Sequence, residues 1–228
     1  MQVVGGTLHL SASDLVGHLN CGHLTTLDLA VARGQLSKPS VWDPVLELLV
    51  QRGSQHEKAY IEHLRADGLS IVEIGGVGAD PAAAAKTLST MKAGTAIIVQ
   101  GALQSGRWSG RADILRRVET PSALGPWSYE VIDTKLARET KGNTVLQISL
   151  YSDLLASAQG RAPEHAFVVT PGTDFAPQAF RVLGVKRAFR DAAAMSLNDP
   201  YRPLACVSCC SASGPYQSTR LSRYDASS

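Results

Sequence analysis

Long apolar runs are missing from this chain. Nowhere do about 18 or more apolar residues follow one another, so no transmembrane helix is expected. Charge of one sign is not in excess either: 22 Lys and Arg stand against 20 Asp and Glu, a net charge of +2. Binding to nucleic acid through bulk charge is thereby excluded, and any such binding must come from a local patch. The N-terminus lacks a basic region followed by an apolar stretch and a small-residue cleavage site, so no secretory signal is visible and a cytoplasmic location is expected. Cysteine is scarce: Cys21, Cys206, Cys209 and Cys210 are the four in the chain. In a reducing compartment such thiols are free or metal-bound rather than paired in disulfides. Internal repeats are absent.

What is present suffices for a sizeable core, with 44% apolar residues in 228. The pattern of that apolar content predicts alternating helices and strands. An apolar run over 1–10 reads as an edge strand. Ser11 and Asp14 form a capping-box pattern for a short helix, and a second helix is expected over Thr25 to Arg33. From Pro44 to Asp67 the residues Leu46, Leu49, Val50, Gly53, Tyr60, Ile61 and Leu64 recur with helical spacing, and Gly68 supplies the stop. Strands are expected over 69–74, 95–103 and 108–118, and again from about 128. Pro81 opens an alanine-rich helix between the first two. The strands from 95 to 135 are close in sequence and form an antiparallel meander. A helix over Thr144 to Gln159 follows, with Thr144, Gln147, Ile148, Tyr151 and Leu155 on one face. Strands over 164–170 and 178–183 and a helix over 186–195 complete the pattern. It is that of an α/β fold, a central mixed sheet flanked by helices.

The chemistry concentrates on Tyr129-Glu130-Val131-Ile132-Asp133-Thr134-Lys135. Alternate residues on a strand share a face, which puts Asp133 and Lys135 together with Val131 and Tyr129. Charges at the end of a buried strand need partners. Alone, an Asp-x-Lys triplet is an ordinary ion pair. Asp113, on the preceding strand, changes its meaning, because two carboxylates on neighbouring strands suit a divalent cation. Such a cation activates water and stabilises phosphate charge, and a lysine beside it orients or deprotonates that water. Glu57 lies on the apolar stripe of its helix, where a lone carboxylate is unfavourable, and would be the third ligand. His56, one position earlier, competes for that place. Gln147 and Tyr151, four residues apart on a helix, and Arg111, two before Asp113, are candidate contacts to phosphate or base.

In order, Glu57 on a helix, Gly110-Arg111-Ala112-Asp113, Asp133-Thr134-Lys135 and Gln147-x-x-x-Tyr151 resemble the RecB-like branch of the PD-(D/E)XK nuclease superfamily. The likeness covers roughly residues 8 to 185. It implies a restriction-endonuclease-like core occupying 1–200 as a single nuclease domain with an N-terminal helical part; by composition, the cysteines and Ser-rich stretch after Pro200 read as a loose polar tail over 201–228. It further implies a nuclease that hydrolyses DNA with Mg²⁺ or Mn²⁺, as an exonuclease on duplex ends or single strands. Glu57, Asp113 and Asp133 would be metal ligands, Lys135 the catalytic lysine, and Gln147 and Tyr151 contacts to DNA. Here Asp133 stands where many relatives have Glu, and many carry a His on the first helix, which keeps both His56 and Glu57 in play.

Several RecB-like nucleases hold a [4Fe–4S] cluster with one N-terminal and three C-terminal cysteines, the distribution of Cys21 and of Cys206, Cys209 and Cys210. The adjacency of Cys209 and Cys210 departs from the family spacing, and free thiols or Zn²⁺ are the alternatives. Two rival readings keep the fold without the catalysis. One is a DNA-binding module. The other is an iron–sulfur scaffold subunit of a larger repair or CRISPR-type assembly.

Overall fold

A computed structural model describes residues 1–38, 42–76, 78, 80–137 and 139–182. The contacts divide the chain after Asp43, and the second compact unit is Pro44–Lys186. The expected helix over 186–195 and the cysteines Cys206, Cys209 and Cys210 lie outside the described residues.

The N-terminal part begins with a hairpin rather than a single strand. β1 (Gln2–Val4) pairs antiparallel with β2 (Thr7–His9) around Gly5 and Gly6. α1 (Ala12–Asn20) starts where the Ser11–Asp14 pattern places it. Asp14 Oδ2 accepts hydrogen bonds from Ser11 N and Ser11 Oγ, both at 2.8 Å, and Asp14 Oδ1 takes the chain-terminal ammonium. α2 (Gly22–Ala32) follows at once. Cys21, at their junction, is a buried free thiol.

Within Pro44–Lys186, α3 (Pro44–Ala66) leads to β3 (Ile71–Glu73), α4 (Pro81–Lys92), β4 (Ile97–Ser105), β5 (Trp108–Val118), β6 (Ser128–Thr134), α5 (Gly142–Gln159), β7 (His165–Val169) and β8 (Gln178–Arg181). The strands form one six-stranded sheet in chain order. β4, β5 and β6 are the antiparallel meander, while β3 pairs parallel with β4 and β6 parallel with β7. Each parallel pair is joined through a helix, α4 or α5, as parallel neighbours require. The class is α/β, a mixed sheet flanked by helices.

Local chemistry explains the helix limits. Asp80 Oδ1 accepts from Ala82 N at 2.9 Å and caps α4, with Pro81 in its first turn. Gly160, at φ 69°, closes α5 in the left-handed conformation that other residues resist.

The sheet has two dressed faces. Ile97, Val99, Ile114 and Ile132 alternate onto one face and pack with Tyr60 and Leu64 of α3. The intervening residues, among them Ile98, Leu115 and Val131, fall on the other, toward α4 and α5. Tyr129 ties that side together: its hydroxyl donates to Thr95 O at 2.7 Å. Gln159 has no exposed surface and both accepts from Tyr129 N and donates to Tyr129 O.

The stripe on α3 is only half buried. Tyr60 and Leu64 enter the core, whereas Leu46, Leu49 and Val50 are exposed, Val50 by 65%. Helical spacing reported the helix correctly, but a stripe running its full length is not a core face over its full length. α5 departs in the opposite sense. Ser149, Leu150, Ser152 and Leu154 are buried beside Ile148, Tyr151 and Leu155, so this helix is enclosed on more than one side.

Candidate active site

A single row of residues crosses the middle of the sheet. The β4–β5 ladder pairs Val99 with Ile114 and Gly101 with Ala112 but skips the pair between them, Gln100 and Asp113. The β5–β6 ladder ends at Ile114 and Ile132, and one step further Asp133 comes opposite Asp113. Gln100, Asp113 and Asp133 therefore occupy one level on three adjacent strands, where the ladders on both sides of Asp113 are interrupted.

The interruption has a cause on each side. Asp113 Oδ2 accepts from Thr134 N at 2.8 Å and Thr134 Oγ1 at 3.0 Å, so a side-chain carboxylate takes the amide that a strand carbonyl would otherwise bind. β6 ends there, while Trp108–Ala112 of β5 continue beside β4 alone. On the other side Gln100 has φ 53°. A left-handed backbone is rare for a residue with a long side chain, and strain of this kind costs of order 1–3 kcal/mol. Regular alternation would send Gln100 to the face opposite Val99 and α3. Instead its Nε2 donates to Glu57 Oε1 of α3 at 2.6 Å.

Asp133 is the deepest of these groups, with no exposed surface. Neither of its oxygens accepts a well-formed hydrogen bond. Its countercharge is Lys135, whose Nζ lies 2.7 Å from Oδ2 and is 29% exposed. Burial, above all, pushes the Asp133 carboxyl from 3.8 to about 7. The neighbouring Asp113 carboxylate adds to the rise and Lys135 opposes it. Glu57 is raised as well, first by burial, against the opposing Gln100 hydrogen bond; Asp113 and Glu73 raise it further and Lys135 lowers it. These mutual effects put Glu57, Glu73, Asp113, Asp133 and Lys135 within one electrostatic neighbourhood.

The structure thus gathers Glu57, Asp113, Asp133 and Lys135, each carboxylate turned to its own partner: Gln100, Thr134 and Lys135. Among the described residues no three His, Cys, Asp or Glu side chains are drawn together as a ready ligand set. The donor chemistry nevertheless fits a hard divalent cation. Asp133 offers a buried Oδ1 with no donor among the described residues, its Oδ2 meets Lys135 alone, and three carboxylates face one ammonium.

His56 is turned elsewhere. Its Nε2 donates to Val169 O at 3.2 Å and its ring stacks with Phe175, so Glu57 is the α3 residue that meets the acids.

Gln147 and Tyr151 do share a face, with Gln147 Nε2 donating to the Tyr151 hydroxyl at 3.2 Å. The Tyr151 ring is 8% exposed and fits against Gly110, where a Cβ would come within 2.5 Å of it. Its hydroxyl is pushed up to about 12, mainly by burial and also by the charges of Asp133 and Asp113, which marks it as a neighbour of both. The ring is largely enclosed, and its hydroxyl lies within electrostatic range of the acids. Arg111 Nη2 donates to Ile74 O and to Gly75 O just past β3, while its buried Nη1 has no hydrogen bond among the described residues.

Gln100 and Glu73 carry no signal in the sequence. A glutamine inside a strand and a glutamate at a strand end are ordinary, and only the φ of Gln100 and the placement of β3 beside β4 reveal them. Of the cysteine set, Cys21 alone is described, and the iron–sulfur expectation rests on positions outside the described residues. No helix of the described residues is long and apolar enough to cross a membrane.

No protein-family model matches the chain, and no curated protein matches it significantly.

Proposed function

We propose that the protein is a divalent-metal-dependent nuclease with a restriction-endonuclease-like core, hydrolysing DNA as an exonuclease on duplex ends or single strands. The observation that carries this reading is Asp133. A carboxylate without exposed surface, with one partly exposed ammonium as its partner and a second carboxylate facing it, is costly in any protein that lacks a use for it. A bound cation supplies that use, and the raised affinity of Asp133 and Glu57 for protons is what such a site has before a cation replaces them.

Glu57, Asp113 and Asp133 would hold Mg²⁺ or Mn²⁺, which lowers the pKa of bound water and neutralises developing charge on phosphate. Lys135 is partly exposed and pairs with Asp133. Its ammonium would orient the attacking water by donating to it and would balance the charge on the phosphate. Thr134 fixes Asp113 with two hydrogen bonds and so presents its other oxygen. Gln147 holds the Tyr151 hydroxyl, which stands ready to donate to a phosphate oxygen beside the acids.

The test is incubation of linear and covalently closed circular DNA, single- and double-stranded, with Mg²⁺ or Mn²⁺. The expected result is loss of linear DNA, sparing of circles and complete inhibition by EDTA. Cleavage that persists in EDTA, or none in either metal, contradicts the reading.

A further inference from the structure

We infer that Gln100 is a positioning residue for metal binding: its left-handed backbone turns the side-chain amide across the sheet to hold Glu57 toward the acidic row. The inference rests on the nuclease reading and adds a residue and a reason to it.

Two independent features point the same way. The first is the contact. Gln100 Nε2 donates to Glu57 Oε1 at 2.6 Å, joining residues 43 apart in sequence, β4 to α3. A charge-assisted bond to one carboxylate oxygen fixes the rotamer and leaves the other oxygen for a cation. Ligands prepared in this way lose less freedom on binding, and groups behind the ligands tune affinity about as strongly as a lost ligand bond. The second is the backbone. Gln100 interrupts the β4–β5 ladder opposite Asp113, at φ 53°. Glycine or asparagine adopts that conformation more readily, so the long amide is not there for the sake of the turn. Strain retained beside a cluster of acids, by a residue whose side chain touches one of them, marks function rather than folding.

The discriminating substitution is Gln100→Asn. Asparagine tolerates the left-handed backbone, keeps the amide chemistry and is one methylene too short to reach Glu57. Gln100→Gly removes both the strain and the amide. Mn²⁺ alone is the probe, titrated into the full chain by calorimetry, with thermal melting of each variant without metal. Asp133→Asn serves as the control for the metal site itself.

The expected result is Mn²⁺ binding about tenfold weaker in Gln100→Asn and Gln100→Gly, equivalent to about 1.4 kcal/mol. Both variants should melt no lower than the wild type. In cleavage assays the Mn²⁺ concentration giving half-maximal rate should rise in parallel. If both bind Mn²⁺ as the wild type does while Asp133→Asn loses binding, the metal site stands and the role of Gln100 is overturned. If Asp133→Asn binds Mn²⁺ as tightly as the wild type, the metal reading fails and the inference falls with it. If both Gln100 variants melt well below the wild type, the residue serves the fold, and the inference is again overturned.

Discussion

Lys135 Nζ lies 2.7 Å from Asp133 Oδ2, and this ammonium is the countercharge of a carboxylate that has no exposed surface. The pair is asymmetric, because Lys135 keeps contact with solvent and Asp133 does not. Its consequences can be measured without any DNA.

Asp133 titrates at about 7 in the fold and near 3.8 when unfolded. Between those values the folded chain holds a proton that the unfolded chain has released, so the stabilisation is complete below about pH 4 and is lost as pH rises through 7. In EDTA the wild type should lose more than about 1.4 kcal/mol, the worth of one pKa unit, between pH 5 and pH 8. Asp133→Asn should flatten that dependence. Lys135→Met should cost about 2 kcal/mol at pH 8, below the usual figure for a broken buried pair because Lys135 is partly exposed, and less at pH 5. Urea unfolding at the two pH values measures all three.

Gly110 and Tyr151 are matched by shape. A Cβ at position 110 would come within 2.5 Å of the ring, and the ring is enclosed on the α5 side. Gly110→Ala should destabilise by about 1–3 kcal/mol through overpacking. Tyr151→Leu added to it should recover part of that loss, a coupling that a double-mutant cycle in urea reads directly.

Tyr129 offers an alkaline test remote from the acids. Burial pushes its hydroxyl from 10.0 to about 12. The unfolded chain then releases this proton first, and stability falls as pH rises from 10 toward 12. Tyr129→Phe loses the bond to Thr95 O, about 1 kcal/mol at pH 7. It should show a shallower alkaline decline, followed by circular dichroism in urea.

Asp113 joins structure to chemistry, since Oδ2 replaces a strand carbonyl for Thr134 N. Asn can accept the same bond, so Asp113→Asn should unfold within about 1 kcal/mol of the wild type. Removal of a ligand charge should nonetheless lower cleavage at least about 100-fold. A fall in activity matched by a fall in melting temperature would place Asp113 in the fold alone.

The meander was legible because its signals are local. Alternation and the turn before Trp108 delimit β5 as found, Trp108–Val118, and chain proximity puts Asp113 beside Asp133. Alternation alone also brings Lys135 to Asp133. Glu57 stood out as a misplaced charge on an apolar stripe, but that the neighbouring His56 turns to Val169 O is nothing a residue pattern encodes. Gln100 was not legible, because its role depends on one backbone angle that no residue pattern encodes. Arg111 drew attention because it shares a strand with Asp113, but that its Nη2 reaches the Ile74 and Gly75 carbonyls just past β3 is nothing a residue pattern encodes. The exposed first turns of α3 mark the limit of periodicity, which reports an amphipathic helix and not what covers it.

The most direct measurement is the rate at which end-labelled single-stranded DNA is degraded in Mn²⁺ by wild type, Asp133→Asn and Lys135→Ala, each confirmed to be folded. The expected result is degradation by the wild type and at least a 100-fold loss, roughly, in both variants. Equal rates in all three would contradict the assignment of hydrolysis to the Asp133–Lys135 site.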